Sequence, residues 1–366
     1  MRNVAITRPG EKPGRGRSGR SIGAGVVAAG LLLFCGATAC SSAGASSSAG
    51  SDPAPNSTAA SGTTSANQTS VSAVTLNIGD QAGSGAEALL TAAGLINKLP
   101  FKAHWSDFTS GPPMLQAMGS GSIDVGAVGD APPVFAAAGG SQIAVVSALP
   151  ANPAGSAILV PKNSPIHTVA QLRGKSIAVA QGSSSDYHLL TILTKAGLTI
   201  KDVTPDYLQP AEGQAAFASG HVAAWDVWSP FIEQAEYQDH ARILANGAGI
   251  AQTYSFVTAS KAALGDPAKA AAIRDYLQLL SQAYAWARTH ESTWAATWAK
   301  ATGLPLSVMA QAVKDSLGTP GPVTPAAITS EQSVANAFTA AGLIPSHITF
   351  ANYSVTTFNS VLGGSS

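Results

Sequence analysis

Short apolar runs and helical stretches alternate along most of the chain, and this alternation limits the folds open to it. An apolar run at residues 74–78 is followed by a helical pattern at residues 84–97, and the order then repeats. Strands that alternate with helices pair in parallel, with helices on both faces of the sheet. The sequence therefore predicts an α/β protein with a parallel or mostly parallel sheet, whose strands are at residues 74–78, 123–128, 143–148, 156–160, 176–180, 204–208, 222–227, 242–245 and 255–259.

The pattern of helices changes after residue 259. Before it, helices are predicted at residues 84–97, 112–118 and 131–138, and others begin near Thr168, Ser183, Ala211 and Pro230. After it, helices follow one another at residues 266–290, 291–301, 306–316 and 330–340. This predicts a chain that leaves one lobe, builds a second and returns, with a hinge at residues 150–155 and 247–251. We expect lobe I at residues 73–151 and 252–366, and lobe II at residues 152–251.

The first 40 residues have the pattern of an export signal. Residues 1–20 hold six basic residues against one acidic residue, and the apolar segment at residues 22–34 is too short for a membrane span. Residues 37–40, Ala-Thr-Ala-Cys, resemble the lipobox of bacterial lipoproteins, although the leucine common at position 37 is missing. The resemblance implies cleavage after residue 39, diacylglycerol on Cys40 and anchoring to the outer face of the cell membrane. A signal cut elsewhere is the alternative.

Residues 40–72 are predicted to be a disordered tether, because small and polar residues dominate them and cannot bury enough apolar surface to fold. Removal of residues 1–39 takes six of the 20 basic and one of the 20 acidic residues, which leaves 14 basic against 19 acidic residues. No basic patch remains to supply phosphate contacts, so nucleic acid is excluded as a partner. Cys35 leaves with the signal, so no disulfide is expected.

Residues 181–186, Gln-Gly-Ser-Ser-Ser-Asp, form the leading candidate site. They place a glycine and three serines between an apolar strand and the first turn of a helix. Free N–H groups, hydroxyls and the positive end of the helix dipole meet there and can hold an anion. Three more loops follow predicted strands at residues 79–83, 129–133 and 225–230, and open sheets bind ligands at such strand ends. Four converging loops predict a clamshell that closes on its ligand.

Five stretches of the chain carry a family resemblance: SGPPMLQAM, GSIDVGAVGDAPPVFAAAGG, AILVPKNSPIHTVAQLRGKSIAVAQGSSSDYHLL, YLQPAEGQAAFASGHVAAWDVWSPF and YSFVTAS. They resemble the aliphatic-sulfonate-binding proteins of ABC importers, within the nitrate, sulfonate and taurine substrate-binding group. The resemblance implies a two-lobed periplasmic-binding-protein fold of type II. It also implies a monomer without a cofactor, which captures its ligand by hinge closure and delivers it to a membrane permease for sulfur uptake.

The same resemblance implies which residues contact the ligand. A sulfonate only accepts hydrogen bonds, so a site of N–H and O–H donors suits it. The implied contacts surround the head group and wall the alkyl portion: Gln81, Gly111, Pro112, Gly129, Asp130, Ala131, Ser183, Ser184, Ser185, Trp225 and Trp228. Trp225 and Trp228 point to opposite faces of a strand, so at most one indole is expected to face the cleft, and Trp228 is favoured.

These residues also have purely structural interpretations. Serines after a strand are commonly helix N-caps, and Gln81 and Asp130 can cap turns. The late tryptophans are expected to pack between helices: Trp286, Trp294 and Trp298.

Asp226 and Ser229 depart from many relatives, which have an aliphatic residue at the first position and aspartate at the second. An acidic group near the ligand tail pairs with an amine, as taurine requires. If Asp226 points into the sheet, the uncharged Ser229 leaves no such partner, which favours an unsubstituted alkanesulfonate. Taurine, nitrate, a sulfate ester and a thiamine-precursor pyrimidine are the alternatives.

An exported enzyme on the same scaffold, acting on a small organic anion, is the alternative of a different class. Residues 182–186 lack the closing glycine of a G-x-S-x-G elbow, and residues 174–176 copy only the tail of a P-loop. The seven histidines lack metal-ligand spacing, so no metal or cofactor is predicted. Related enzymes depend on a cysteine, and the one thiol left after cleavage is acylated. His188 is interpreted as a surface residue rather than a base.

Overall fold

The computed structural model describes residues 71–81, 85–250, 253–316, 318–345 and 347–363. The predicted signal peptide, Cys40 and the tether up to residue 70 lie outside the described residues. The described residues all belong to one unit, residues 64–366. No helix within the described ranges is long and apolar enough to cross a membrane.

Ten strands form two five-stranded sheets: β1 (Thr75–Gln81), β2 (Lys102–Phe108), β3 (Val125–Val128), β4 (Ile143–Pro150), β5 (Ser156–Pro161), β6 (Ser176–Val179), β7 (Thr204–Tyr207), β8 (Ala224–Trp228), β9 (Ala241–Asn246) and β10 (Tyr254–Ser260). The first sheet has the order β2-β1-β3-β10-β4, and the second has the order β7-β6-β8-β5-β9. In each sheet the first three strands are parallel, and the last two pairings are antiparallel. Both sheets therefore follow the same plan.

The mixed pairing differs from the predicted parallel or mostly parallel sheet. β5 and β10 each arrive from the other sheet, so no strand-helix-strand crossover forces them to run parallel to their neighbours. β2 is not among the predicted strands. This edge strand is partly exposed and mixes polar with apolar residues, so it contains no continuous apolar run.

Eleven helices lie within the described ranges: α1 (Ala86–Ala92), α2 (Gly111–Gly119), α3 (Ala131–Ala138), α4 (Ser184–Lys195), α5 (Pro210–Ala218), α6 (Phe231–Gln238), α7 (Lys261–Gly265), α8 (Pro267–Thr289), α9 (Glu291–Thr302), α10 (Leu306–Ser316) and α11 (Pro325–Ala340). α11 begins five residues before its predicted start, because Thr324 caps it and Pro325 occupies its first position. The helix predicted near Thr168 is only a 3-10 turn at Val169–Leu172.

The chain passes to the second sheet between β4 and β5 and returns between β9 and β10, and these two crossings lie side by side. The Ala151 N–H donates to the Thr253 carbonyl at 3.0 Å. A Cβ on Gly247 would overlap the Pro153 carbonyl oxygen, so only glycine allows the crossings to touch there. Adjacent crossings are compatible with the predicted hinge, and the bounds of the two lobes stay a prediction.

The last long helix, α11, connects the two halves of the fold by packing against a helix of each. Phe338 of α11 packs edge-on against Phe135 of α3, with ring centroids 4.8 Å apart, and lies 5.9 Å from Tyr187 of α4. These rings belong to an apolar cluster that also includes Ile158 of β5 and Phe256 of β10. The starts of α3 and α4 are thereby held next to each other.

Gly126 of β3 is expected to be sensitive to an added methyl group. A Cβ there would lie 2.5 Å from the Met114 Sδ and 2.9 Å from the Gly79 carbonyl oxygen. We expect Gly126→Ala to lower the free energy of unfolding by about 1 to 3 kcal/mol, because overpacking forces neighbours to shift. Urea denaturation measures the change. Gly265→Ala is the control, since no heavy atom lies within 4 Å of its Cβ. Equal losses in the two variants would contradict the prediction.

Candidate ligand-binding site

A cavity of about 260 Å³ lies where the carboxyl ends of β1 and β3 meet the start of α4. Both crossings border it, through residues such as Asn152 and Thr253. Ligands of open α/β sheets bind at this kind of position. Its lining is rich in aromatic side chains: Tyr187, Trp228, Tyr254, Tyr284, Trp294 and Trp298.

The turn between β6 and α4 brings Ser183 and Ser184 to the cavity wall. Gly182 has a φ of 68°, a left-handed conformation that favours glycine and turns the chain into the helix. The Gly182 N–H donates to the Asp186 Oδ2 at 2.9 Å, which fixes the turn. α4 then begins at the cavity, and its twelve residues direct the positive end of their dipole there.

The start of α4 offers free hydrogen-bond donors. The N–H groups of Ser184 and Ser185 have no hydrogen-bond partner among the residues that the structure describes, whereas the next N–H, that of Asp186, donates to the Ser183 carbonyl. The Ser183 hydroxyl donates to the Ala180 carbonyl at 2.6 Å and so turns away from the cavity. An anion in the cavity would meet the two free N–H groups and the Ser184 hydroxyl.

Ser184 also touches the opposite wall of the cavity. A Cβ on Gly129 would overlap the Ser184 Oγ, so only glycine permits this approach. The Ser184 and Thr253 side chains lie close to the Asp130 carboxylate, which accepts from the Ala131 N–H at 2.8 Å. Burial raises the pKa of Asp130 to about 6, although these polar neighbours favour the charged form.

Seven of the eleven residues predicted to contact the ligand line the cavity: Gln81, Gly111, Gly129, Asp130, Ser183, Ser184 and Trp228. Gln81 lies at the end of β1, where its Nε2 donates to the Ala127 carbonyl at 2.7 Å. Trp228 lies at the end of β8 and packs edge-on against Phe231 at 5.8 Å. The structure thus brings together loops that are about 150 residues apart in the sequence.

The other four predicted residues do not line the cavity: Pro112, Ala131, Ser185 and Trp225. Trp225, predicted to contact the ligand, lies away from the cavity, because this strand position faces the core. Its ring lies 6.1 Å from that of Phe217 and 6.4 Å from that of Phe231. The Ala131 N–H is taken by Asp130, and the Ser185 hydroxyl faces the buried Asp226 carboxylate. Only the backbone N–H of Ser185 remains free.

His188 is a site residue that the sequence analysis placed at the surface. It is 5% exposed, lines the cavity, and its Nδ1 lies 2.8 Å from the Asp226 Oδ2. Burial lowers the pKa of His188, but the Asp226 carboxylate outweighs burial and leaves this pKa above its usual value. The spacing of Ser184 and His188 by four residues was the available signal, since it puts both on one helix face. Among the described residues that line the cavity, His188 is the only one with a basic side chain.

Trp294 and Trp298 line the cavity as well, although core packing was predicted for them. The two indoles stack with centroids 5.4 Å apart and planes 14° apart. They are 3% and 4% exposed, so they pack in the core and still border the cavity. The Trp298 Nε1 has no hydrogen-bond partner in the described ranges. No local pattern in α9 distinguishes these indoles from ordinary core residues.

The raised pKa of Asp130 should make stability depend on pH. The folded pKa of about 6 lies above the unfolded value of 3.8, so folding favours the protonated form. This stabilisation is present below pH 4 and is lost as the pH rises through 6. We expect the free energy of unfolding of the wild type to fall by about 2 kcal/mol relative to that of Asp130→Asn between pH 4 and pH 7. Chemical denaturation of both proteins at each pH measures the difference. If the two plots of unfolding free energy against pH are parallel, the raised pKa of Asp130 is contradicted.

Comparisons with known proteins bear on the family. A family model described as an ABC transporter, phosphonate, periplasmic substrate-binding protein matches residues 97–302. A protein of Escherichia coli (strain K12) named for binding aliphatic sulfonates is 40% identical over 241 residues, which cover 65% of this chain and 75% of that protein. The alkanesulfonate-binding protein SsuA from Xanthomonas axonopodis pv. citri, bound to MOPS, superposes with a TM-score of 0.72 and 34% identity. That match covers 77% of this chain and 98% of SsuA.

The fold also occurs in an enzyme. The desulfurization enzyme DSZB matches with a TM-score of 0.58 and 16% identity, over 79% of this chain and 99% of that enzyme, which is a likeness of fold alone. The predicted periplasmic-binding-protein fold and the family resemblance are confirmed by the SsuA structure and the family model. The chain belongs to the family of periplasmic substrate-binding proteins of ABC transporters.

Proposed function

We propose that this protein binds an aliphatic sulfonate outside the cytoplasm and delivers it to an ABC importer for sulfur uptake. The observation that carries the proposal is the pair of free N–H groups, on Ser184 and Ser185, at the start of α4. A helix N-terminus with free donors is a favourable place for an anion. The likeness to two proteins named for binding sulfonates supports this ligand class over nitrate or a pyrimidine.

The donors of the site match the chemistry of a sulfonate head group. Its three oxygens accept hydrogen bonds and donate none, so two N–H groups and the Ser184 hydroxyl suit it. Each hydrogen bond to a charged group contributes about 1.5 to 3 kcal/mol. His188 lies on the same helix face and adds positive charge when protonated. Asp130 repels an anion as a carboxylate, but an anion nearby raises its pKa further and so favours the neutral form.

We also propose that the two lobes close around the ligand. Thr109 Oγ1 and Ser110 Oγ both donate to Gln209 Oε1, at 2.9 Å and 2.8 Å, and join the start of α2 to the start of α5. The close approach of the Ser184 Oγ to Gly129 is a second link between the two sheets. A ligand that contacts both sides selects such a closed form. We place the hinge at the two crossings, between lobe I (residues 73–151 and 252–366) and lobe II (residues 152–251).

Our proposals for the membrane anchor and for the oligomeric state are based on the sequence. Diacylglycerol on Cys40 would supply two acyl chains, enough for stable attachment to the outer face of the membrane. The tether of residues 40–72 would then keep the protein near the permease. We propose a monomer, as the family resemblance implies.

An enzyme on this fold is the candidate that the site supports less well. Asp226 holds the His188 Nδ1 as in a catalytic triad, but the His188 Nε2 has no hydrogen-bond partner in the described residues, so no hydroxyl is poised as a nucleophile. The two cysteines of the chain, Cys35 and Cys40, both precede residue 71. No three His, Cys, Asp or Glu side chains in the described ranges are grouped to hold a metal ion.

Titration calorimetry of the purified protein with ethanesulfonate tests the proposed function. We expect one binding site and recovery of the ligand unchanged, which an enzyme would not give. At a hundredfold excess over the dissociation constant, the ligand should stabilise the fold by about 2.7 kcal/mol. Failure of several alkanesulfonates to bind, with nitrate or a pyrimidine binding instead, would overturn the proposal.

Ser184→Ala is expected to weaken ethanesulfonate binding by about 1.5 to 3 kcal/mol, because it removes a hydroxyl donor to a charged group. Ser183→Ala is the matched control, since the Ser183 hydroxyl donates to the Ala180 carbonyl and not into the cavity. Calorimetry of both variants gives the two affinities, and thermal unfolding shows whether each is folded. A larger loss in Ser183→Ala than in Ser184→Ala would assign the head group to other donors.

A further inference from the structure

β1 and α1 form one wall of the cavity, and three carboxyl groups lie on or near this wall. Asp80 lies near the end of β1 and lines the cavity. Asp107 is its register partner on β2, and Glu87 lies in the first turn of α1. All three line an adjoining cavity that shares Asp80, Gln81 and Trp298 with the first one. The serines at the start of α4 belong to the other sheet, so donors and carboxyl groups occupy different walls.

Asp80 is a buried carboxyl group that forms no ion pair with any described residue. Its Oδ1 accepts from the N–H groups of Gln81 and Ala86 at 2.9 Å and 3.1 Å, and its Oδ2 accepts from that of Glu87 at 3.1 Å. Capping of α1 accounts for these bonds, and the start of this short helix supplies only partial positive charge, with no cationic side chain beside it among the described residues. In the described part of the chain, ion pairs join other residues: Arg173 with Asp202, His188 with Asp226 and Lys269 with Asp124.

The environment of Asp80 penalises its charge. Burial raises the pKa of Asp80 despite the three N–H groups, and the charge of Asp107 raises it further. A buried carboxylate that lacks a counter-charge costs free energy, and a cation brought in by a ligand would offset that cost. No metal-binding group is formed by the described residues, which leaves an organic cation as the fitting partner.

Aromatic side chains complete this wall. Tyr284 is close enough to Asp80 for that charge to add to the effect of burial, and together they raise the pKa of Tyr284 to about 12. Trp294 and Trp298 line the same cavity, and Trp298 borders both cavities beside Asp80. The Trp298 Nε1 is buried without a partner among the described residues, and as a donor it does not pair with an ammonium group, so only the ring face of Trp298 bears on a cation. Indole and phenol faces attract ammonium groups by cation–π interaction.

We infer that the cavity takes a zwitterionic sulfonate, whose ammonium group lies between Asp80 and the aromatic rings while its sulfonate meets the start of α4. This inference rests on the proposed function and names its substrate class. The preference for an unsubstituted tail, expected from the sequence, considered only Asp226 and Ser229. Asp226 is indeed turned into the protein and paired with His188. Asp80 supplies the acidic group that those two positions do not.

Two sulfonates of the same shape test the inference. 3-(Trimethylammonio)propane-1-sulfonate carries a positive charge on its tail, and 3-(trimethylsilyl)propane-1-sulfonate is its neutral counterpart. We expect calorimetry of the wild-type protein to show about tenfold or tighter binding of the cationic probe, since cation–π and carboxylate contacts each favour it. Equal affinities, or tighter binding of the silyl probe, would overturn the inference and leave the proposed function intact. Failure of both probes and of ethanesulfonate would overturn the proposed function itself.

Asp80→Asn tests the role of the carboxylate. The amide oxygen can still accept from the start of α1, so the variant keeps part of the cap while losing the charge. We expect the preference for the cationic probe to fall about tenfold, with little change for the silyl probe. Glu291→Gln is the control, because it removes one negative charge from an exposed position on α9. An unchanged preference in Asp80→Asn would exclude Asp80 as the partner. If that variant does not fold, the comparison of probes on the wild type still decides the substrate class.

Discussion

The contact between Ser184 and Gly129 is the constraint on which the cavity depends. Any side chain at position 129 would occupy the space of the serine hydroxyl, so the start of α4 could not reach the end of β3. Because it can, free N–H groups from one sheet and Asp130 from the other border the same cavity. The apolar packing of α3, α4 and α11 supports this approach from behind. Backbone donors and His188 together supply the positive side of the cavity.

The charges around the cavity give its two walls different chemistry. On the α4 side, the helix dipole, the free N–H groups and His188 favour an anion. On the β1 side, Asp80 and the aromatic rings favour a cation. Asp130 is compatible with an anion as well, since its pKa of about 6 allows it to become neutral near one. A substrate with both charges would satisfy each wall, whereas a simple anion would leave Asp80 uncompensated.

Much of the fold followed from the pattern of the sequence, and its errors have physical causes. Strand and helix alternation located nine of the ten strands, but β2 is a half-exposed edge strand whose apolar residues are not consecutive. The direction of β5 and β10 was not predictable, because pairing direction depends on how the chain crosses between sheets. At the site, strand alternation correctly separated Trp225 from Trp228 but could not say which faces of α9 meet the cavity. Trp294 and Trp298 were therefore assigned to the core alone.

The sequence by itself determined the α/β class, the family resemblance and the serine turn, because strand periodicity, glycine conformation and helix capping act over a few neighbouring residues. Only the tertiary structure decided what each polar group faces. It turned the Ser183 hydroxyl to Ala180, paired His188 with Asp226, and left Asp80 beside aromatic rings without a cation. Hydrogen bonding and charge compensation depend on distances of a few ångströms between residues far apart in the chain, and a local pattern carries no information about those distances.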